Sequence, residues 1–434
     1  MIEQFVYLLV VMTAVAIVGG YIMRYRAATR RAQQTFLESS AAGLMEPVTL
    51  HPEVDPNRCI GIGACAKACP EGEIIGIVNG RFALTAPNKC IGHGACMAAC
   101  AVDAITLVFG TATRGVEIPH VKETFETNVD GVFIAGELGG MGLIRNAVTQ
   151  GKQAVDNIAA RNKSRDTSVL DVVIVGAGPA GLSATLQAEK NGLQYLTVDQ
   201  DDIGGTILTY PRQKLVMTQP MEIPLYGKYS QREVEKEELL SLWHEIIDRT
   251  GVGVHTHERL EMVARSNGHF EVTTATDQYV AKNVLLAIGR RGTPRKLSVP
   301  GEASSKVTYR LLEPNQYQNR RLLVVGGGDS AVEAALSLSR EPGTKVTFSY
   351  RQNAFSRVKE ANRERIARAI DDGSVDVLFE SQVSRIENDI VQIDRKGDTI
   401  EIPNDYVFVF VGGELPTPFL RKLGIEINTK FGER

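Results

Sequence analysis

The stretch Val172-Val-Ile-Val175-Gly176-Ala-Gly178-Pro179-Ala180-Gly181-Leu182 decides the architecture of most of this chain. Four apolar residues without polar alternation read as a strand buried on both faces. The spacing Gly-x-Gly-x-x-Gly then allows a tight turn. It also lets a diphosphate approach the N-terminus of the next helix, expected from about Leu182. A second strand, Leu196-Thr-Val-Asp199, ends in a carboxylate 18 residues after Gly181. That is where an acid grips a ribose 2′-hydroxyl. The glycines alone are a weak signal. With strand, helix, second strand and acid they mark an α/β dinucleotide-binding unit.

The pattern recurs at Leu322-Leu-Val-Val-Gly326-Gly-Gly328-Asp329-Ser330-Ala331. After the next strand, Val346-Thr-Phe-Ser, there is no acid. Tyr350, Arg351 and Gln352 follow, with Arg357 nearby. Losing the carboxylate removes the element that favours NADH, and arginines accept a 2′-phosphate, so NADPH is favoured. The plainer alternative is that these arginines are surface charge.

Residues 168 to 434 resemble the low-molecular-weight thioredoxin reductase group. Within it they are most similar to the bacillithiol-disulfide-reductase-like and ferredoxin–NADP reductase-like branches. The resemblance rests on VVIVGAGPAGLSA, Gly204-Gly205-Thr206, KLVMTQP, VLLAIGRRGTPRKLSVPG, YRLLEP and VVGGGDSAVEAA. It implies FAD at Gly176, Gly178, Pro179, Ala180, Gly181, Asp199, Gly205 and Thr206. It implies NAD(P)H at Gly326, Gly328, Asp329, Ser330, Arg351 and Arg357. Two departures matter. The group's thioredoxin reductases carry Cys-x-x-Cys before the second glycine motif, where this chain has Thr308 to Pro314. The bacillithiol-type branch has a cysteine where this chain has Ala180. Neither disulfide chemistry carries over.

The order of segments also departs from the group. Its members end in a strand-turn-helix beside the flavin. Here the matching element, Gly131-Val-Phe-Ile-Ala-Gly136-Glu137, precedes the first glycine motif. A circular permutation is expected, with strand 132–136, helix 142–160 and strand 171–175 forming one βαβ crossover. Gly136 and Glu137 would then face the flavin. The alternative is a nucleotide-fold fragment of separate origin.

All six cysteines lie between positions 59 and 100, in two copies of one pattern. Cys59-Ile-Gly-Ile-Gly-Ala-Cys65-Ala-Lys-Ala-Cys69 is followed 31 residues on by Cys90-Ile-Gly-His-Gly-Ala-Cys96-Met-Ala-Ala-Cys100, with eight of eleven positions matching. The pattern resembles a bacterial two-cluster ferredoxin, except that each copy lacks its second cysteine. Ile62 and His93 stand there. In such domains the last cysteine of each motif serves the other cluster. That wiring groups Cys59, Cys65 and Cys100 at one site, and Cys90, Cys96 and Cys69 at the other. Three thiolates suffice for [3Fe–4S], favoured at the first site over [4Fe–4S]. At the second site, His93 either supplies a nitrogen ligand or is a polar turn residue. Structural zinc is the alternative for the whole segment.

Phe5 to Met23 is a charge-free run of 19 residues. As a helix it spans about 28 Å, close to a bilayer's hydrocarbon thickness. Arg24, Arg26, Arg30 and Arg31 follow, which puts the bulk of the chain on the cytoplasmic side of the inner membrane. A cleaved signal peptide is the alternative, though its basic segment would precede the apolar run.

The expected organisation is therefore α/β: two Rossmann-like domains, for FAD and NAD(P), a small α+β ferredoxin-like domain and one N-terminal transmembrane helix. The segments are an anchor at 1–31 (helix about 5–23), a linker at 32–45 and an iron–sulfur domain at 46–109. A permuted flavin element at 110–164 leads into the FAD domain at 165–298. The NAD(P) domain covers 299–400, and 401–434 returns to the FAD domain. A net charge of −3 argues against nucleic acid. The pair His255 and His257 reads as surface. The reading is a membrane-anchored flavin and iron–sulfur oxidoreductase that serves a quinone, a cytochrome or another membrane redox complex. The alternative is a relay subunit with little activity alone; a nucleotide-binding redox sensor is a third. A homodimer stays open.

Overall fold

The computed structural model describes every residue except 1, 42–44, 46, 48–49, 71, 73, 88–89, 91, 114, 141, 162–167, 211, 213, 218–219, 232, 291–293, 356–357, 359 and 433–434. It divides into two compact units, 1–116 with 430–434, and 117–429.

The first unit opens with α1 (Ile2–Ala41), a single helix. It runs well past the apolar segment, through residues expected to form a linker. The reason is composition: from Tyr21 to Ala41 there is no Gly or Pro, and Ala, Arg and Gln are strong helix formers. Thr29, Ala32, Thr35, Phe36 and Ser39, spaced for one helical face, are shielded while the rest of this stretch is exposed. Next come β1 (His51–Val54), α2 (Ala64–Ala68), β2 (Ile75–Val78), β3 (Arg81–Leu84), α3 (Ala95–Ala98) and β4 (Ile105–Val108). β1 pairs antiparallel with β4, and β2 with β3. Cys65, Ile74, Ile75, Cys90, Cys96 and Ile105 form one packed core. The small domain is thus built around its thiols.

The second unit contains two parallel sheets. The first uses β6 (Val132–Ile134), β7 (Val172–Val175), β8 (Tyr195–Val198) and β16 (Val284–Leu286), in the order β6-β16-β7-β8. Val284 faces Val132 on one side and Val173 on the other. The chain therefore passes from β6 over β16 to β7, through α4 (Ile144–Arg161). This is a βαβ crossover made by residues upstream of the first glycine motif. The helix α5 (Pro179–Lys190) starts three residues before the expected Leu182, because Pro179 at its first turn has its φ already set for a helix.

Four short strands, β9 (Leu215–Met217), β10 (Met221–Ile223), β11 (Gly227–Tyr229) and β12 (Glu233–Glu235), form two antiparallel pairs ahead of α6 (Lys236–Thr250). β13 (Leu260–Ser266), β14 (His269–Thr274) and β15 (Gln278–Ala281) form an antiparallel layer whose Phe270 and Val272 pack on the first sheet.

The second parallel sheet joins β17 (Val307–Thr308), β18 (Arg321–Gly326), β19 (Lys345–Tyr350), β20 (Val375–Phe379) and β24 (Tyr406–Phe410) in the order β17-β24-β18-β19-β20. The helices α7 (Asp329–Leu338) and α8 (Glu360–Asp371) belong to this half. A three-stranded antiparallel layer, β21 (Ser381–Ile386), β22 (Ile390–Arg395) and β23 (Asp398–Pro403), precedes β24.

The expected domain boundary at 401 falls too early. β24 lies inside the second sheet, where Asp405 bridges to Arg321 of β18 at 2.6 Å. That guanidinium holds the Asp405 carboxyl at about 2. The return comes only with α9 (Thr417–Lys422) and β25 (Ile427–Lys430), which follow it. Leu420 and Ile425 pack with Val132 and Ile134 of the first half. Asn128 fixes this tail by donating to Gly424 O and accepting from Glu426 N, both at 2.9 Å.

Candidate cofactor sites

The first nucleotide site forms at the C-terminal edge of the first sheet, where open α/β sheets bind ligands. Gly176 has φ +108, and a Cβ there would meet Ala287 O at 2.5 Å. A Cβ on Gly181 would lie 1.6 Å from Gly176 O. Both positions exclude side chains because backbone passes there. Gly178 differs: its Cβ would meet only Gly205 Cα, at 3.8 Å. What Gly178 leaves is room above the N-terminus of α5, the cradle a diphosphate needs.

Asp199 directly follows β8 and is buried. Its carboxylate accepts from the Ala177 and Asp201 amides. Burial raises its pKa, against the lowering effect of those two bonds. The acid is thereby tied to the glycine turn. Gly205 and Thr206 begin a short 3-10 helix, with Gly205 packed against Gly178. Gly136 and Glu137 begin another, just past β6. A Cβ on Gly136 would lie 2.9 Å from Ala180 Cβ, so the upstream element meets the glycine motif directly. The structure therefore brings Gly136, Gly178, Ala180, Asp199 and Gly205 to one edge. The sequence reading missed Gln150, whose Oε1 accepts from Gly136 N at 2.8 Å. It also missed Gly151, where a Cβ would lie 2.0 Å from Ala180 O. A glycine within an otherwise amphipathic helix was the available signal.

The second site has the same design with different partners. Gly326 has φ +155, and a Cβ on Gly327 would meet the Tyr350 ring at 1.8 Å. Gly328 caps α7 and has nothing within 4 Å of its Cβ position, so space is again left above a helix N-terminus. Ser330 is exposed. Asp329 accepts from Asn362 Nδ2 at 2.8 Å, and Asn362 also reaches Glu333 at 3.1 Å. Glu333 accepts from Lys214 Nζ at 2.8 Å, which links the two halves of this unit. Asn362 has no sequence signal; Lys214 opens the KLVMTQP stretch, but nothing local marks its partner on a distant element. Arg351 is exposed just past β19, while Tyr350 beside it is buried and stacks on Phe355 at 5.5 Å. Arg357 lies outside the described residues.

In the small unit, Cys59, Cys65 and Cys100 line one cavity, with Ile62, Ile77 and Phe82 also in its wall. Burial raises the Cys65 pKa, and the sulfurs of Cys59 and Cys100 push the same way. At the other site burial pushes the Cys96 thiol up to about 11, with added push from Cys90 and Cys69. Each motif therefore sends its last cysteine to the other group. Gly61, Gly63, Gly92 and Gly94 all have φ between 70 and 79. A Cβ on Gly61 would lie 2.0 Å from Gly80 O, and one on Gly92 would lie 2.5 Å from Leu50 O. The two loops are thus wrapped alike around their thiols. Ala104 N donates to Cys100 Sγ at 3.2 Å. His93 is half-buried on the loop entering α3.

Among the described residues no three His, Cys, Asp or Glu converge as ligands of a single metal ion. Thiolates around a cluster take different irons, so they stand apart. Three soft donors, one buried and two half-buried, in a cavity lined largely by apolar side chains fit an iron–sulfur cluster. His255 and His257 contact different carboxylates, Glu258 at 3.1 Å and Asp202 at 3.2 Å.

The family described as pyridine nucleotide-disulphide oxidoreductase matches residues 173–432, and the 4Fe-4S dicluster domain matches residues 51–101. The bacilliredoxin reductase Bdr of Bacillus subtilis is 29% identical over 266 residues, covering 60% of this chain and 82% of that protein. A ferredoxin–NADP reductase of Thermus thermophilus is 30% identical over 265 residues, covering 58% and 74%. Among solved structures, the bacillithiol disulfide reductase Bdr (YpdA) from Staphylococcus aureus superposes with a TM-score of 0.54 at 26% identity, covering 59% of this chain and 80% of that one.

Proposed function

The chain belongs to the pyridine nucleotide-disulphide oxidoreductase family, and from that premise we propose that it is a membrane-anchored enzyme moving electrons between NAD(P)H and a membrane-associated acceptor. It is a flavin-dependent oxidoreductase with an iron–sulfur domain. FAD held at the first glycine motif would supply the exchange between the two-electron chemistry of NAD(P)H and the one-electron chemistry of the iron–sulfur domain.

One observation carries this reading. All six cysteines fall into two three-thiol groups, so the chain holds no dithiol for the disulfide chemistry named in its relatives. The residues proposed to hold the flavin are Gly136, Glu137, Gly176, Gly178, Pro179, Ala180, Gly181, Asp199, Gly205 and Thr206. Gly326, Gly328, Asp329 and Ser330 are proposed for NAD(P)H. Arg351 and Arg357 would favour the 2′-phosphate. The flavin half is read as circularly permuted, with β6 and α4 supplying the element that closes the family's fold from the other end. The first cluster is proposed as [3Fe–4S], because Ile62 offers no ligand, and His93 is proposed to complete the second.

α1 is read as an uncleaved anchor. It carries an apolar span, shows no buried residue in that window, and continues into the folded small unit. The four arginines that follow the apolar run, within α1, support a cytoplasmic side for the folded part. The acceptor class is a quinone, a cytochrome or another membrane redox complex.

Anaerobic titration of the purified full chain, with NADH and then NADPH followed by EPR, tests the reading. The expected result is flavin bleaching, stronger with NADPH, and a sharp signal from the oxidised protein that disappears on reduction. Protein free of iron and sulfide would sink the cluster assignment.

A further inference from the structure

β2 separates α1 from the first thiol site by the thickness of one strand. Its alternate residues face opposite ways. Ile75 belongs to the core that holds Cys65, Cys90 and Cys96, and Ile77 lines the cavity of Cys59, Cys65 and Cys100. Gly76, between them, faces α1. A Cβ there would lie 2.3 Å from Ala32 Cβ and 3.1 Å from Thr85 Cγ2. Ala32 against Gly76 is a small pair, so helix and strand approach closely. The helix makes this contact nine residues past Met23, and no Gly or Pro interrupts it after Gly20. At helical rise the contact lies about 14 Å below the end of the apolar run. Arg24, Arg26, Arg30 and Arg31 are exposed along this interval, where anionic headgroups would meet them.

We infer that α1 is a rigid strut, not a tether, and that it holds the Cys59–Cys65–Cys100 cluster at a fixed height close beneath the bilayer surface. This rests on the proposed function and narrows it. A domain held off the membrane by about 14 Å does not reach a quinone ring within the lipid. It does face a redox centre that an integral membrane protein presents at the surface. Each exchange oxidises the cluster by one electron and reduces that centre by one, with no bond made or broken.

The test uses the full chain in phosphatidylcholine–phosphatidylglycerol vesicles carrying a nitroxide on the lipid headgroup. The reduced cluster should enhance nitroxide relaxation. Inserting seven alanines after Ala27 adds two helical turns, about 10 Å. Because dipolar coupling falls steeply with distance, the enhancement should then drop at least fivefold, while ferricyanide reduction by NADPH stays unchanged. An unchanged enhancement would overturn the strut. So would rapid trypsin cleavage at Arg30 or Arg31 in the vesicle-bound protein, or NADPH-driven reduction of ubiquinone-10 in vesicles lacking any other protein. Loss of ferricyanide activity in the unaltered chain would strike the proposed function instead.

Discussion

Ile62 is the residue on which the cluster chemistry turns. It lies in the wall of the first cavity and is 58% exposed, so a larger change there is tolerated sterically. Ile62→Cys restores the missing thiolate. The expected outcome is a gain of one iron per chain and near-complete loss of the EPR signal of the oxidised protein. Iron and sulfide analysis beside EPR checks it, and a native protein without that signal whose variant gains no iron would place a four-iron cluster in the native site. Arg351 makes a second residue-scale case. It is exposed just past β19, next to Tyr350, which takes the place that Asp199 holds in the first unit. Arg351→Ala should raise the KM for NADPH roughly tenfold, as expected for losing a charge-assisted hydrogen bond, and leave that for NADH within about twofold. Equal losses with both nucleotides would remove the residue from the 2′-phosphate. Local chemistry of this kind was readable from the sequence because spacing alone places the glycines, Asp199 and the thiols. The partners of Asp329 and Gly136 were not. Asn362 and Gln150 reach them from other elements, and no local pattern marks a hydrogen bond across a fold.

At the scale of elements, the contact between α4 and α5 couples the upstream segment to the flavin cradle. Gly151 lies where α4 crosses the first turn of α5, and the atom a side chain would strike is Ala180 O, a backbone atom that cannot rotate away. Gly151→Ala should cost about 1–3 kcal/mol through overpacking. It should also lower bound flavin, because the displaced turn is the one that carries Gly178 and Gly181. Gly253→Ala is the matched control. Nothing lies within 4 Å of its Cβ position, and its effect should stay within about 0.5 kcal/mol. Flavin content per protein and the thermal midpoint of both variants check the contrast. Two element boundaries escaped the sequence reading, for physical reasons. The Ala/Ser/Gln composition after Arg31 looked like a linker, but those residues also favour helix, and the docked face of α1 decides between the two. The stretch Tyr406–Phe410 reads as a buried strand of either sheet. Only its pairing with β18 assigns it to the second.

For the whole molecule, the question is where the flavin fold begins. The family match spans 173–432, which suggests that those residues could stand alone. The sheet says otherwise. β6 is an edge strand paired to β16, and its Phe133 is fully buried with Ala154, Val155 and Ile158 of α4. Removing 117–161 would expose that apolar layer and leave β16 with an open edge, a template for aggregation. It would also strip Gly136 and Gln150 from the nucleotide edge. A chain starting at Ser168 is therefore expected to be insoluble or flavin-free, although it contains every residue of the family match. A chain starting at Val116 keeps both parallel sheets and discards the helix and the thiol groups. It should bind FAD near one to one and reduce ferricyanide with NADPH, without any iron signal. Flavin content and size-exclusion profiles of the two chains decide the matter. A soluble, flavin-loaded product from the shorter chain would mean that the upstream strand and helix only decorate the fold, and the permutation would fall with them.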